Sequence, residues 1–494
     1  QIAALTTDQA PALTTSQVNN LTTAQIAAIE TADLVKLTTD QIVALSSAQI
    51  PAFTTDQLVK LTTAQIKAIE TLDLQQLTTA QLVTLTSVQV PALTTAQVVA
   101  LTTAQAEALT TAQVNKLTTA QVAAIETADL VKMTTAQIVA LTTDQVPALT
   151  VGQVENLTTA QIAAIETADL VKMTTAQIAG LSSVQISALT TDQLIKLTTD
   201  QVQAIQTLDL QQMTTGQIAA LTDTQVPVLT TAQIVALTTA QAAALTTNEV
   251  SKLTTAQVAA IETEDLVKMT TAQIKAIETA DLVKMTASQL QAITTAGVKA
   301  MLADQVTALT TSQVGAMSTG QLNGLSSEQT AALSTEQLAT LTTTQIAAIT
   351  TQAIEGLSST AMSSLSTVQL SALTTGQVSA LTTAQVVALE TSDVAALGTA
   401  QVVALTTAQV NVLETADIAA MSTGQVSALS TSQVQALSNG NVTALSTSQV
   451  QAMTTAQVNA LSTAQVVAMT TSQVASLTAA QVKGMSTDQV KALE

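Results

Sequence analysis

The chain has 494 residues and contains no histidine, cysteine, tryptophan or tyrosine; its net charge is −20, from 34 acidic and 14 basic residues. An acidic chain lacks the basic surface that displaces counterions from nucleic acid, so we expect no nucleic-acid partner. The apolar fraction of 47% and charged fraction of 10% argue against disorder, and the 13 glycines and 5 prolines argue against a collagen-like chain or a flexible linker.

An eight-residue repeat runs along the sequence from Leu5 to Leu493. Every eighth residue is Leu, Ile, Met or Phe, which gives 62 apolar anchors without an insertion or deletion. We number the anchor as position one of each octad. Positions two and three are mostly Thr or Ser, five is mostly Gln, six is mostly Val, Ile or Leu, and eight is mostly Ala. A fixed period of this kind predicts a single continuous array over residues 1–494 rather than a set of globular domains.

Variants of the octad recur in chain order. Proline stands at position seven in three octads 40 residues apart, and an acidic variant that begins Ile29-Glu30-Thr31-Ala32-Asp33 returns at anchors 69, 125, 165 and, altered, 205. We interpret five octads as a unit of duplication, with superhelical geometry as an alternative origin of the spacing. Beyond about residue 300 serine becomes more frequent, and lysine is absent until Lys483. Residues 1–4 complete one octad and Leu493 begins another, so we expect an excerpt of a longer array.

Each octad is predicted to hold one short helix. A continuous helix would turn the anchor stripe by roughly 80° per octad, so the helix must break once in every repeat. Thr94 and Gln97 have the spacing of a capping box, and most octads repeat it. All but three of the 34 acidic residues occupy positions two to five, and all 14 lysines occupy positions seven or eight, which is the polarity that a helix dipole favours. The predicted fold is therefore an all-α, tight solenoid of one-to-two-turn helices.

A β-solenoid is the alternative fold, because Thr and Val favour strands. All five prolines lie late in the proposed helices, where proline removes a hydrogen bond, so we expect those octads to hold a single turn. They are Pro11, Pro51, Pro91, Pro147 and Pro227.

The sequence predicts no catalytic, cofactor-binding or metal-binding residues. A chain without His or Cys lacks the commonest general base and the thiol nucleophile, so we expect no enzyme. We interpret Glu30 and Asp33 as compensation of the helix dipole and a contribution to solubility rather than as a calcium site, since calcium takes six to eight oxygen ligands. Position-five glutamines are interpreted as cap partners, with a ladder between coils as the less favoured alternative.

The octad Leu-Thr-Thr-Ala-Gln-Val-Val-Ala at residues 93–100 resembles the Leu-Thr-x-x-Gln-Val-x-Ala repeats of very large bacterial surface and adhesin-like proteins. Most octads carry Thr in place of the proline that those repeats have at position three, and Glu at position four is rare. The resemblance implies a secreted, cell-surface location and a filament or stalk role. We therefore expect a structural rod that associates with itself and inserts no segment into a membrane. The alternatives are a repetitive surface that binds ice or carbohydrate, or an intracellular scaffold.

Overall fold

The computed structural model describes residues 2–493, and within that range every regular element is helical. Contacts cluster into two compact units, residues 1–244 and 245–494, which are described separately. Both units consist of short helices joined by extended residues, one helix in each octad. The prediction of an all-α solenoid with one short helix per repeat is confirmed, and the β-solenoid alternative is wrong for the described residues.

Unit 1 contains both α-helices and 3-10 turns. Its α-helices are Thr15–Asn19, Thr23–Ala27, Thr31–Leu34, Thr39–Val43, Thr55–Lys60, Thr63–Ala68, Thr71–Leu74, Thr79–Leu82, Thr95–Val99, Thr103–Ala108, Thr111–Val114, Thr119–Ala124, Thr127–Leu130, Thr135–Val139, Val151–Asn156, Thr159–Ala164, Thr167–Leu170, Thr175–Ala179, Ser183–Ala188, Thr191–Leu194, Thr199–Ala204, Thr207–Leu210, Thr215–Ile218, Thr231–Val235 and Thr239–Ala244. Its 3-10 turns are Ile2–Ala4, Ala10–Ala12, Ile50–Ala52, Val90–Ala92, Val146–Ala148 and Val226–Val228.

Unit 2 contains an α-helix in every octad. These are Thr247–Lys252, Thr255–Ala260, Thr263–Lys268, Thr271–Ala276, Thr279–Leu282, Ala287–Ala292, Thr295–Ala300, Ala303–Ala308, Thr311–Gly315, Thr319–Asn323, Ser327–Ala331, Thr335–Ala339, Thr343–Ala348, Thr351–Ile354, Ser359–Ser363, Thr367–Ser371, Thr375–Ala380, Thr383–Val387, Thr391–Ala396, Thr399–Ala404, Thr407–Asn411, Thr415–Ala420, Thr423–Ala428, Thr431–Ala436, Asn439–Ala444, Thr447–Ala452, Thr455–Ala460, Thr463–Ala468, Thr471–Ala475, Ala479–Gly484 and Thr487–Lys491.

The five proline octads of unit 1 form 3-10 turns rather than α-helices. Pro51, for example, lies in the turn Ile50–Ala52, whose closing bond runs from the Phe53 N–H to the Ile50 carbonyl at 3.2 Å. Proline has no N–H to donate, so the α-helix cannot extend through position seven. The expectation of a single turn in these octads is confirmed.

Each described α-helix begins at position three, and in most octads a Thr or Ser side chain at position two caps it. In the octad at Leu61, the Gln65 N–H donates to Thr62 Oγ1 at 3.2 Å and the Thr62 N–H donates to Gln65 Oε1 at 2.9 Å. This reciprocal pair satisfies N–H groups at the helix start. Thr55–Lys60 carries Asp56 in its first turn and Lys60 in its last, the charge polarity that the sequence predicted.

Extended residues, not glycine, reverse the chain between helices. Leu61 has φ −54° and ψ 137°, and Thr62 has φ −72° and ψ 159°. Within the described residues no backbone φ is positive, for glycine or any other residue. Turns of this kind require no left-handed conformation, which accounts for the scarcity of glycine in the sequence.

Anchors and position-six side chains form the core of both units. Leu58 at position six is fully buried, and the following anchor, Leu61, is 3% exposed. The two positions are three residues apart and share one face of each helix. Position eight faces the neighbouring coil: a Cβ added to Gly180 would lie 2.7 Å from Val151 Cγ1.

One coil of the solenoid contains between three and four octads. Thr119–Ala124 packs against Thr95–Val99, whose first residue lies 24 positions earlier, and the same spacing recurs in both units. Side-chain hydrogen bonds between coils join residues 28 and 31 positions apart, such as those from Gln121 to Leu93 and Val90. The 40-residue spacing of the octad variants is therefore not the length of a coil, which favours duplication as its origin.

Candidate functional site: the contact between successive coils

Glutamine at position five joins each coil to the one before it. The Gln457 amide nitrogen donates to the carbonyl oxygens of Val426 at 2.9 Å and Leu429 at 2.6 Å, 31 and 28 residues earlier. Its Oε1 accepts from the Thr454 N–H at 2.7 Å. Gln457 is 2% exposed, so these bonds form away from water. One side chain therefore caps its own helix and bonds the preceding coil, and we call the pair of Nε2 bonds an amide tie.

Amide ties recur along both units. In unit 1, Gln161 donates to Leu130 and Met133 at 2.9 Å each. In unit 2, Gln425 donates to Val394 and Leu397 at 3.0 and 2.8 Å. The sequence interpretation treated cap partner and inter-coil ladder as alternatives and favoured the cap. The cap role is confirmed, but it does not exclude the ladder, because the two ends of the amide perform the two roles together.

A sequence signal for the amide tie exists. Glutamate serves a capping box as well as glutamine does, and its charge suits a helix start better. Nevertheless, of the 61 position-five residues from 9 to 489, 47 are Gln and only Glu249 is Glu. A carboxylate has no hydrogen to donate to a carbonyl, so this preference points to an amide donor. Asn441 keeps the role with a shorter side chain and donates to the Leu413 carbonyl at 3.0 Å.

Buried aspartates replace the glutamine in nine octads, and eight of these nine carry Glu at position two. The aspartates are Asp33, Asp73, Asp129, Asp169, Asp209, Asp265, Asp281, Asp393 and Asp417. Four of them accept a hydrogen bond from a position-three hydroxyl 26 residues earlier, as Asp129 does from Thr103 Oγ1 at 2.7 Å. In these octads the donor lies on the earlier coil and the acceptor on the later one, the reverse of the amide tie.

The acidic pair divides between solvent and core. Glu30 is exposed, consistent with a role in solubility, whereas Asp33 is 4% exposed, so the solubility interpretation is wrong for the aspartate. Within residues 2–493, no three Asp, Glu, His or Cys side chains form a cluster suited to a metal ion. In the same range no helix is long and apolar enough to cross a bilayer.

Burial raises the pKa of several of these aspartates. For Asp265, burial and then the charges of Glu262 and Glu264 raise the pKa to about 6, and its Oδ2 has no hydrogen-bond partner among the described residues. Burial, and secondarily the position-two glutamate, also raises the pKa of Asp73 and Asp169. Removing a carboxylate from water disfavours its charged form, which is the main cause of each increase.

Acidification is expected to stabilise the region around Asp265. Between about pH 4 and 6 the native carboxyl keeps a proton that the unfolded chain has lost, so stability rises as the pH falls through about 6. The gain is about 1–3 kcal/mol for local opening, measured by hydrogen exchange at pH 4.5 and 7 after correction for intrinsic rates. Asp265→Asn removes the titrating group and should weaken this dependence, whereas the exposed control Asp304→Asn should leave it unchanged. An unchanged pH profile in Asp265→Asn would contradict the assignment.

The fold and the contact between coils together define a repeat protein of the helical-solenoid class. Its octads cap their own helices and form hydrogen bonds with the preceding coil. A profile described as the ALTTAQ repeat matches most of the chain, at residues 26–63, 66–103, 92–119, 122–159, 162–199, 202–239, 274–311, 311–343, 346–383, 362–391, 386–415, 410–447, 439–471 and 463–494. The chain therefore belongs to the ALTTAQ repeat family. No curated protein matches it at a significant level.

Proposed function

We propose that the chain is the repeat region of an extracellular filament or adhesin stalk, a self-associating rod with no catalytic role. The observation that carries the proposal is the amide tie, repeated from coil to coil in both units. In such an array each coil is held by its nearest neighbours, so length can be added without a new core. An isolated coil edge exposes the same amides or carbonyls that join coils inside the array, which supports association of rods with themselves.

The threonine chemistry supports this role over the ice-binding alternative. In the octad at Met133, Thr134 Oγ1 accepts from the Gln137 N–H at 3.3 Å and lies 3.0 Å from Gln137 Oε1, to which it donates. Position-two hydroxyls that form hydrogen bonds in helix caps are not free to order water or bind sugars. The location is supported by the resemblance to surface-protein repeats, and an intracellular scaffold is the competing proposal.

Surface labelling tests the location. Antibody raised against residues 1–494 should label intact cells of the source organism, because a stalk projects from the surface. Labelling only after permeabilisation would contradict an extracellular role and favour the scaffold. An antibody against a cytoplasmic protein serves as the control for cell integrity.

Stretching tests the mechanical role. In an optical trap with handles at both ends, the chain should lengthen in many small steps, because coils separate in succession. A domain with one core would instead open in a single cooperative event. One all-or-none extension of the whole chain would contradict a load-bearing array.

A further inference from the structure

One place in unit 2 interrupts the amide ties in two adjacent octads. Position five is Ala353 in the octad at Ile349 and Ala361 in the octad at Leu357. No other neighbouring pair of octads lacks a polar side chain at this position. We call residues 349–364 the tie-free segment. Ties resume on either side, since Gln345 donates to Gly315 and Met317, and Gln369 to Leu338 and Leu341.

Amide ties join the tie-free segment to the coil that follows it, but none joins it to the coil that precedes it. Gln377 donates to the Ile349 carbonyl at 2.6 Å, and Gln385 donates to Ile354 at 2.8 Å and to Leu357 at 2.7 Å. By the spacing of other octads, ties from positions 353 and 361 would reach the carbonyls of residues 322, 325, 330 and 333. Four hydrogen bonds found at an ordinary pair of octads are thus missing from one face of the segment.

A single hydroxyl takes the place of these ties. Thr330, the only polar residue at position six, is fully buried and its Oγ1 lies 2.5 Å from the Ala353 carbonyl oxygen. Thr330 Oγ1 also lies 3.1 Å from the Ser326 carbonyl oxygen and 3.0 Å from the Ser327 carbonyl oxygen. A hydroxyl has one hydrogen to donate, so its bond between coils competes with two bonds inside its own helix.

Backbone contact fills the remaining space. A Cβ added at Gly356 would lie 2.0 Å from the Ser327 carbonyl oxygen, a distance that no side chain tolerates. The coils therefore approach more closely here than at Gly180, where the obstructing atom belongs to a flexible side chain. Van der Waals contact of this kind is short in range and is lost on a small separation, whereas a ladder of ties must be broken bond by bond.

We propose that the boundary between residues 325–336 and the tie-free segment is the yield point of unit 2, where coils first separate. Its use under load rests on the mechanical function proposed above, whereas the opening itself takes place at zero force. Separation at one boundary would lengthen the chain while the octads on both sides keep their helices, because stability in the array is local.

Hydrogen exchange at zero force tests the opening. Amides of residues 349–364 should exchange roughly 30-fold faster than those of residues 421–436, since about four inter-coil bonds are missing. Restoring both ties with Ala353→Gln and Ala361→Gln should slow exchange in the segment to the level of its neighbours. Equal protection of the two regions in the unmodified chain, or no slowing in the double variant, would overturn the proposal.

A transplanted gap is the matched control. Gln425→Ala with Gln433→Ala removes two adjacent ties, those to Val394 and Leu397 and those to Val402 and Leu405. This pair should create a second fast-exchanging region at residues 421–436 without affecting the first. In the optical trap, restored ties should raise the force of the earliest step. A yield point seen by exchange in a chain that bears no load would reject the mechanical function and leave the proposal intact.

Discussion

Replacing Gln457 with methionine is expected to lower the free energy of local opening around residues 454–461 by about 3–6 kcal/mol. Methionine has a similar volume and no strong hydrogen-bonding group. The substitution leaves the Leu429 carbonyl and the Thr454 N–H without a partner, in a place that water does not reach. It also removes one of the two hydrogen bonds that the Val426 carbonyl accepts, the other coming from the Leu429 N–H at 3.2 Å. Each unsatisfied buried group costs about 1–3 kcal/mol, and burial of the methionine side chain offsets part of that loss.

Two further variants separate the cap from the tie. Gln457→Glu keeps an acceptor for the Thr454 N–H but cannot donate, so most of the loss should persist at pH 7. Gln451→Met changes an exposed glutamine of the same coil and should have little effect. Hydrogen exchange of residues 421–436 and 454–461 supplies the measurement. If Gln457→Met behaves like Gln451→Met, the tie contributes nothing to the contact between coils.

Replacing the anchor Leu237 with aspartate is expected to unfold its own coil and spare the rest of the chain. Leu237 is 6% exposed, so the variant loses about 2–3 kcal/mol of apolar burial and places a charge in the core. Together these effects exceed about 4 kcal/mol locally. Because each coil is held by its neighbours, protection against exchange should remain at residues 1–150 and 350–494.

An exposed leucine gives the matched control. Leu208→Asp changes the same residue type at position four, where the side chain is 69% exposed, and should leave protection unchanged. Uniform loss of protection over the whole chain in Leu237→Asp would show a single cooperative fold. The nearest-neighbour account of this array would then be wrong.

Local features of the octad determined its secondary structure. The Thr62 and Gln65 spacing specifies a helix start, Asp56 and Lys60 mark the two ends of a helix dipole, and Pro51 shortens its helix to a turn. Each of these effects acts within one or two turns of backbone, so all the interacting residues lie within a few positions of one another in the sequence. The same holds for the core, because the anchor and position six follow directly from the period.

Tertiary structure alone decided which coil each octad contacts and what the glutamine does there. The number of octads per coil depends on the angle between successive helices. That angle is set by φ and ψ at the anchor and position two, and small differences in these dihedrals add up along the chain. No local rule fixes the accumulated angle, so the sequence alone could not show that the Val426 carbonyl lies beside Gln457, 31 residues away. The burial of Asp33 and the close approach of Gly356 to Ser327 follow from the same geometry. Contacts between coils belong to the stacked array, and an octad considered alone does not contain them.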